Sequence, residues 1–196
     1  MTDTIEFDTV MGVQRIFRDV MGAFSRPFKV YNIKEHVSDN PLVQGEYEVI
    51  KGLCCVFLDN TVSFYVHNDE KLAGDIAEAT YAKPAGIEEA DFVVMTDTPD
   101  LNLLEKVYQG SLFNPHKGAT VILDVPQITG QEKITAEGPG IDGKLPFFAD
   151  KSIVACLSKA AELDMEYPKG FEIIFATRQG DMCAVPRHVR INREGV

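Results

Sequence analysis

Basic side chains are scarce in this chain of 196 residues: 19 Lys and Arg stand against 30 Asp and Glu, a formal net charge of −11. Broad nucleic-acid binding is excluded on that count, because phosphate backbones are held by clustered Lys and Arg. Long apolar runs are missing too. No uninterrupted stretch reaches the roughly 18 residues that span a bilayer. The acidic start "MTDTIEFDTVMG" lacks the basic-then-apolar layout of a secretory signal. A soluble, cytoplasmic protein without membrane association is the expectation. The four cysteines, Cys54, Cys55, Cys156 and Cys183, form no C-x-x-C pair. Adjacent Cys54 and Cys55 are ill-spaced for a disulfide or a zinc knuckle, which leaves buried thiols in a reducing compartment.

Catalytic signatures are absent as well. His36, His67, His116 and His188 are scattered, with no H-x-x-H or H-E-x-x-H spacing, so no metal site is expected. No G-x-S-x-G elbow marks a serine nucleophile. Cys156 shares an apolar stripe with Ile153 and Leu157, which reads as packing. G-x-x-x-x-G-K-[ST] does not occur, and the G-x-G-x-x-G spacing of residues 138–143, GPGIDG, opens no helical pattern, since Pro146 follows in "IDGKLPFF". None of the twelve lysines sits in a stretch suited to a pyridoxal phosphate Schiff base. The residues alone therefore nominate no catalytic group and no cofactor.

What is present is alternation of helix and strand patterns. Val10, Val13, Ile16, Phe17, Val20, Met21 and Phe24 recur at three- and four-residue steps, one face of an amphipathic helix capped at Asp8 or Thr9 and stopped by Pro27. A short strand, "KVYNI", follows. Tyr47 to Leu58 reads as a second helix with Gly52 as its weak spot, and "TVSFYVH" as a strand. A third helix fits 69–80, then a strand at 91–97. "TPDLNLLEKVYQG" carries a helix start at Thr98-Pro99 and a stop at Gly110. Strands at 119–125 and 133–138, a helix capped by Asp150 and running to about Leu163, and paired strands "FEIIFAT" and "MCAVP" complete the chain. Continuous apolar strands suit a sheet covered on both faces. The prediction is one α/β domain, residues 1–196, with a mixed, mostly helix-covered sheet.

Two features invite a chemical reading. Gly138-Pro139-Gly140 follows a strand; it is a sharp turn, or a loop cradling a phosphate, with Pro139 removing one of the needed N–H donors. "AVPRHVRI" concentrates Arg187, His188 and Arg190 in an acidic chain. Arg187 could grip a phosphate or carboxylate with its planar fork, or sit in a local salt bridge at a strand end. Arg26 in "FSRPF" is a similar case. Glu172 opens a buried strand and needs a cationic partner, which either arginine could supply. Arg187, His188, Arg26 and Glu172 are the ligand-binding candidates.

The ordered series "FRDVMGAFSRPF", "LCCVFLDNTVSFYV", "GSLFNPHKGATVILDV", "AEGPGI", "YPKGFEIIF" and "AVPRH" resembles the PhnH family, a component of the bacterial carbon–phosphorus lyase core complex, from about Phe17 to His188. The resemblance implies a part in phosphonate catabolism, in a complex with the G, I and J subunits. That complex transfers a phosphonate onto the ribose of a nucleoside triphosphate, the alpha-D-ribose 1-methylphosphonate 5-triphosphate synthase step, before another component breaks the C–P bond. It further implies a homodimer, the fold of pyridoxal-phosphate-dependent transferases without their cofactor site, and a structural or assembly role without catalytic residues. The family commonly has aspartate where this chain has Glu172, and threonine where it has His188. The alternative is a stand-alone enzyme or binder for phosphorylated small molecules, built on an Arg/His cleft.

Overall fold

The computed structural model of the protein describes residues 9–38, 40–97, 99–163 and 165–193. The N-cap expectations at Asp8 or Thr9 and at Thr98 fall on residues or side chains outside those described. Helix α1 (Thr9–Ser25) ends where Pro27 forbids continuation, with Arg26 N–H donating the closing bond to Gly22. It buries Ile16, Val20 and Ala23, but Phe17 and Met21 remain 48% and 51% exposed. The apolar stripe predicted from the sequence is thus wider than the surface the fold covers.

Helices α2 (Lys34–Val37) and α3 (Glu48–Phe57) cross so closely that a Cβ at Gly52 would run into Val37 Cγ1. Gly52 is therefore a packing requirement rather than a weak spot. Helix α4 (Glu70–Thr80) starts at Asp69, whose carboxylate accepts from Leu72 N–H at 2.8 Å. Helix α5 (Lys151–Glu162) starts at Asp150, which accepts from Ser152 N–H at 2.9 Å. The helix expected from Pro99 to Gly110 is instead a 3-10 helix over Leu101–Lys106. Asp100 accepts from Asn102 N–H and so starts the turn beyond Pro99; Val107 is already extended.

Strands β1 (Tyr31–Asn32), β2 (Ser63–Val66), β3 (Lys83–Pro84), β4 (Phe92–Met95) and β5 (Thr120–Asp124) enter the main sheet. So do β8 (Glu172–Ala176) and β9 (Asp181–Val185), giving the order β1-β9-β8-β5-β4-β2-β3. The run β3-β2-β4-β5-β8 is parallel, and β9 is antiparallel to both its neighbours. Alternate residues of each central strand enter two different cores. Ile122, Ile174, Met182 and Ala184 pack with α1, α3 and α4; Val121, Leu123, Phe175 and Cys183 pack with α5 and a smaller sheet. The α/β class and mixed sheet follow from that two-sided burial.

The smaller sheet goes beyond what the sequence pattern predicts. Strand β6 (Thr129–Glu137) pairs antiparallel with both β7 (Leu145–Ala149) and β10 (Arg190–Arg193). Only the second half of β6 carries a strand pattern, because Gln131, Glu132 and Lys133 weaken its apolar alternation. No helix among the described residues is long and apolar enough to cross a membrane.

Candidate functional site

Three signature segments meet at Arg187. Strand β9 ends at Val185, opposite Ile173 of β8, so Pro186 and Arg187 emerge beside Glu172. The Glu172 carboxylate accepts from Arg187 N–H at 2.8 Å and from Arg187 Nε–H at 2.6 Å. Arg187 Nη1–H donates to the carbonyl of Pro115, which opens the short 3-10 helix Pro115–Lys117 ahead of β5. The arginine side chain is only 11% exposed. A charge so deep is tolerable because its partner carboxylate and a carbonyl accept hydrogen bonds from it. The surrounding backbone leaves no room for larger residues: a Cβ at Gly118 would strike the Gly170 carbonyl, and one at Gly170 (φ +143) would lie 3.1 Å from Arg187 Cβ.

Gly138-Pro139-Gly140 is a turn. Ile141 N–H donates to Gly138 O at 3.1 Å, with Pro139 second and Gly140 third at φ +82, the residue order of a type II turn. Its two glycines touch different segments. A Cβ at Gly138 would sit 2.9 Å from His188 O, and one at Gly140 would sit 2.8 Å from Ser25 O. The turn therefore wedges between the end of α1 and the Arg187–Val189 segment.

Beside this junction lies an open groove of about 1130 Å³. It runs between β10 on one side and the C-terminal end of α5 with the segment leading to β8 on the other; Leu157, Phe171 and Ile191 line it with Arg187 and His188. The His188 ring packs against Tyr167, centroids 4.9 Å apart. Three of the four predicted residues, Arg187, His188 and Glu172, are thus brought together. Arg26 is exposed at the end of α1 and does not line the groove. Of the two arginines considered for Glu172, Arg187 is the partner.

A second charged cluster, which residue spacing does not announce, occupies the carboxyl ends of the parallel strands. Arg178, just past β8, bonds Asp124 at 3.2 Å through Nε, pairs with Asp97 past β4, and lies 4.7 Å over the Tyr47 ring. Tyr47 O–H donates to Asp97 at 2.6 Å, and Glu46 stands 3.8 Å from Arg178. Burial raises the pKa of Asp124, offset in part by Arg178; burial and then the bond to Asp97 raise that of Tyr47. The one signal for it is positional: open α/β sheets gather polar groups at strand carboxyl ends. Among the described residues, no three His, Cys, Asp or Glu side chains converge to hold a metal ion.

The family model described as "Bacterial phosphonate metabolism protein (PhnH)" matches residues 6–192. The chain is also 24% identical over 182 residues to HtxG of Stutzerimonas stutzeri, a protein named as a C-P lyase subunit, covering 93% of this chain and 87% of that one. The family match extends across both sheets, the Arg187 junction and the groove. The chain belongs to the PhnH family of bacterial phosphonate metabolism proteins.

Proposed function

We propose that this chain is a non-catalytic assembly subunit of the carbon–phosphorus lyase core complex, acting at the alpha-D-ribose 1-methylphosphonate 5-triphosphate synthase step. It works as a cytoplasmic homodimer alongside the G, I and J subunits. The observation that carries this reading is the use made of Arg187. The arginine best suited to a phosphate is instead spent on Glu172 and the Pro115 carbonyl, inside the fold. A stand-alone binder built on Arg187, Arg26 and His188 is disfavoured by the same bonds and by Arg26 lying outside the groove. Large apolar side chains on the surface support association: Phe17 and Met21 on α1, and Phe113, which is 94% exposed.

Kinship with pyridoxal-phosphate-dependent transferases lacking the cofactor is part of the same proposal. Lys51 is the buried lysine among the described residues, and its ammonium is committed to Gln44 O at 2.7 Å and Asp75 at 3.4 Å. Incubation with pyridoxal phosphate is expected to give no new visible absorbance band.

The assembly reading is tested by co-expressing the chain with the G, I and J subunits and purifying through a tag on any one of them. Co-purification in fixed proportion is expected. Assembly of the other three while this chain stays behind would sink the proposal.

A further inference from the structure

We infer that Leu112 and Phe113, at the tip of the closed loop running from Tyr108 to Ala119, insert into an apolar pocket on another protein of the complex. The inference rests on the assembly reading above and names a contact through which the chain is held.

The first observation is exposure at a turn. Phe113 is 94% exposed and Leu112 52%. They are the two central residues of a tight turn, in which Ser111 N–H donates to Asn114 O at 3.3 Å and Asn114 N–H to Ser111 O at 3.1 Å. Turns favour Gly, Pro, Asn, Asp and Ser, each for a conformational reason that Leu and Phe do not share. The fold leaves the apolar area of both side chains in water, and association is what removes it.

The second is rigidity. Ala119 N–H closes the loop on Tyr108 O at 2.8 Å, Gly170 N–H donates to Gln109 O at 2.9 Å, and Arg187 holds the Pro115 carbonyl. Gly110 (φ +75) lets the two limbs meet: a Cβ there would lie 2.9 Å from both Asn114 O and Pro115 O. Ser111 Oγ accepts from Asn114 N–H at 3.0 Å just below the tip. Compact loops with joined ends are frequent functional elements. An anchor ordered before binding loses little conformational freedom when it docks, and aromatic anchors seated in pockets dominate interface energies. The Glu172–Arg187 pair thereby stiffens the base of the element that presents Phe113.

The third concerns the receiver. Two copies meeting tip to tip through Leu112 and Phe113 would bury only about a few hundred Å², against roughly 800 Å² per partner in a stable interface. The concave surfaces of this chain described so far do not suit an apolar tip either. Glu137, Glu162 and Arg190 line the groove beside β10, and a cleft of about 190 Å³ at the sheet's carboxyl edge is lined by Asp97, Asp124 and Arg178. Seating Phe113 in either would strip water from charged groups without replacing its hydrogen bonds. A different subunit with an apolar pocket is the matching receiver.

The test uses the full chain co-expressed with the G, I and J subunits. Phe113→Asp is expected to weaken assembly by about tenfold or more while leaving the melting temperature of the free chain unchanged. Tyr81→Asp, at an aromatic residue 79% exposed at the end of α4, is expected to assemble as wild type does. The chain contains no tryptophan, so Phe113→Trp carrying 5-fluorotryptophan gives one fluorine resonance. Its solvent isotope shift is expected in the free chain and should vanish when that chain is added to unlabelled G, I and J subunits. Undiminished assembly of Phe113→Asp, equal loss in Tyr81→Asp, or an isotope shift that persists in the complex overturns the inference and leaves the assembly reading standing. A Phe113→Asp chain that turns from dimer to monomer yet still assembles overturns it in favour of a second copy. Failure of the wild-type chain to join the complex overturns both.

Discussion

Glu172 holds Arg187 twice, accepting its backbone N–H at 2.8 Å and its Nε–H at 2.6 Å. One carboxylate thereby fixes both the path of the chain after β9 and the direction of the guanidinium. Removing the arginine side chain leaves a half-buried carboxylate and an unmet Pro115 carbonyl. Arg187→Ala is expected to cost about 2–4 kcal/mol, near the lower range for broken buried pairs because Glu172 keeps some solvent. Arg187→Lys recovers little, since a point charge cannot serve Glu172 and Pro115 together. Thermal or urea unfolding measures this. An arginine kept for a ligand would leave stability near wild type when removed, which would contradict the structural role.

The Gly52 contact predicts a substitution effect opposite in sign to helix propensity. Alanine in an exposed helix interior would gain about 1 kcal/mol over glycine. Here its Cβ would meet Val37 Cγ1, a stiff β-branched side chain between two helices. Gly52→Ala is expected to lose about 1–3 kcal/mol by overpacking. In a double-mutant cycle with Val37→Ala the two losses should fall well short of adding, because the second change removes the clash. Simple additivity would show that the helices accommodate the methyl group by moving apart.

Much of the fold is legible in the sequence because its strands are buried on both faces and its helices are strongly periodic. "TVILD" and "EIIFA" place successive side chains in opposite cores, a pattern that only a covered sheet supports. The smaller sheet is hidden for the complementary reason. The first half of β6 carries Gln, Glu and Lys, β7 is interrupted by Pro146, and β10 is "RINR", which reads as surface rather than strand; only 133–138 shows a strand pattern. The Glu172–Arg187 pair can be posed from sequence as a need for a partner, since a carboxylate entering a buried strand demands one. Which arginine answers it depends on the antiparallel register of β8 and β9, a relation between segments that residue spacing does not encode. The Arg178 cluster is of the same kind: Glu46, Asp97, Asp124 and Arg178 are far apart in the chain and meet only at the sheet's carboxyl edge.

Asp150 predicts a pH dependence at acid pH. Burial works against its charge, yet hydrogen bonds from Ser152, Gln127 and the Lys151 N–H outweigh it and hold its pKa below the ordinary 3.8. A depressed carboxylate contributes stability above its unfolded pKa and loses that contribution as pH falls through the folded value. Asp150→Ala is therefore expected to cost about 1–2 kcal/mol at neutral pH through loss of the cap. The difference from wild type should shrink below the ordinary aspartate pKa. Asp150→Ser, which caps without titrating, should retain part of the stability at every pH. Melting temperatures of the three proteins across the acid range settle it, and a gap that stays constant with pH counts against the carboxylate's role.

Asp124 should behave in the opposite sense. It ends β5 almost fully buried, and that burial raises its pKa above 3.8 despite the Arg178 guanidinium at 3.2 Å. When the folded pKa is the higher one, the native state binds more protons between the two values, so stability falls as pH rises through that window. Asp124→Asn removes the titration but also weakens the bond that ties the end of β5 to Arg178. The variant is expected to match wild type closely at low pH, where Asp124 is protonated and as neutral as the amide. As pH rises toward neutrality wild type gives up stability that the variant keeps, so the variant should gain on it. Arg178→Gln leaves Asp124 buried without its cation, which should deepen the loss at neutral pH and push the carboxylate's pKa higher still. Unfolding free energies of wild type and both variants, measured from acid to neutral pH, give these slopes. A deficit for Asp124→Asn that widens with pH would mean that the Arg178 pair, rather than burial, dominates the carboxylate.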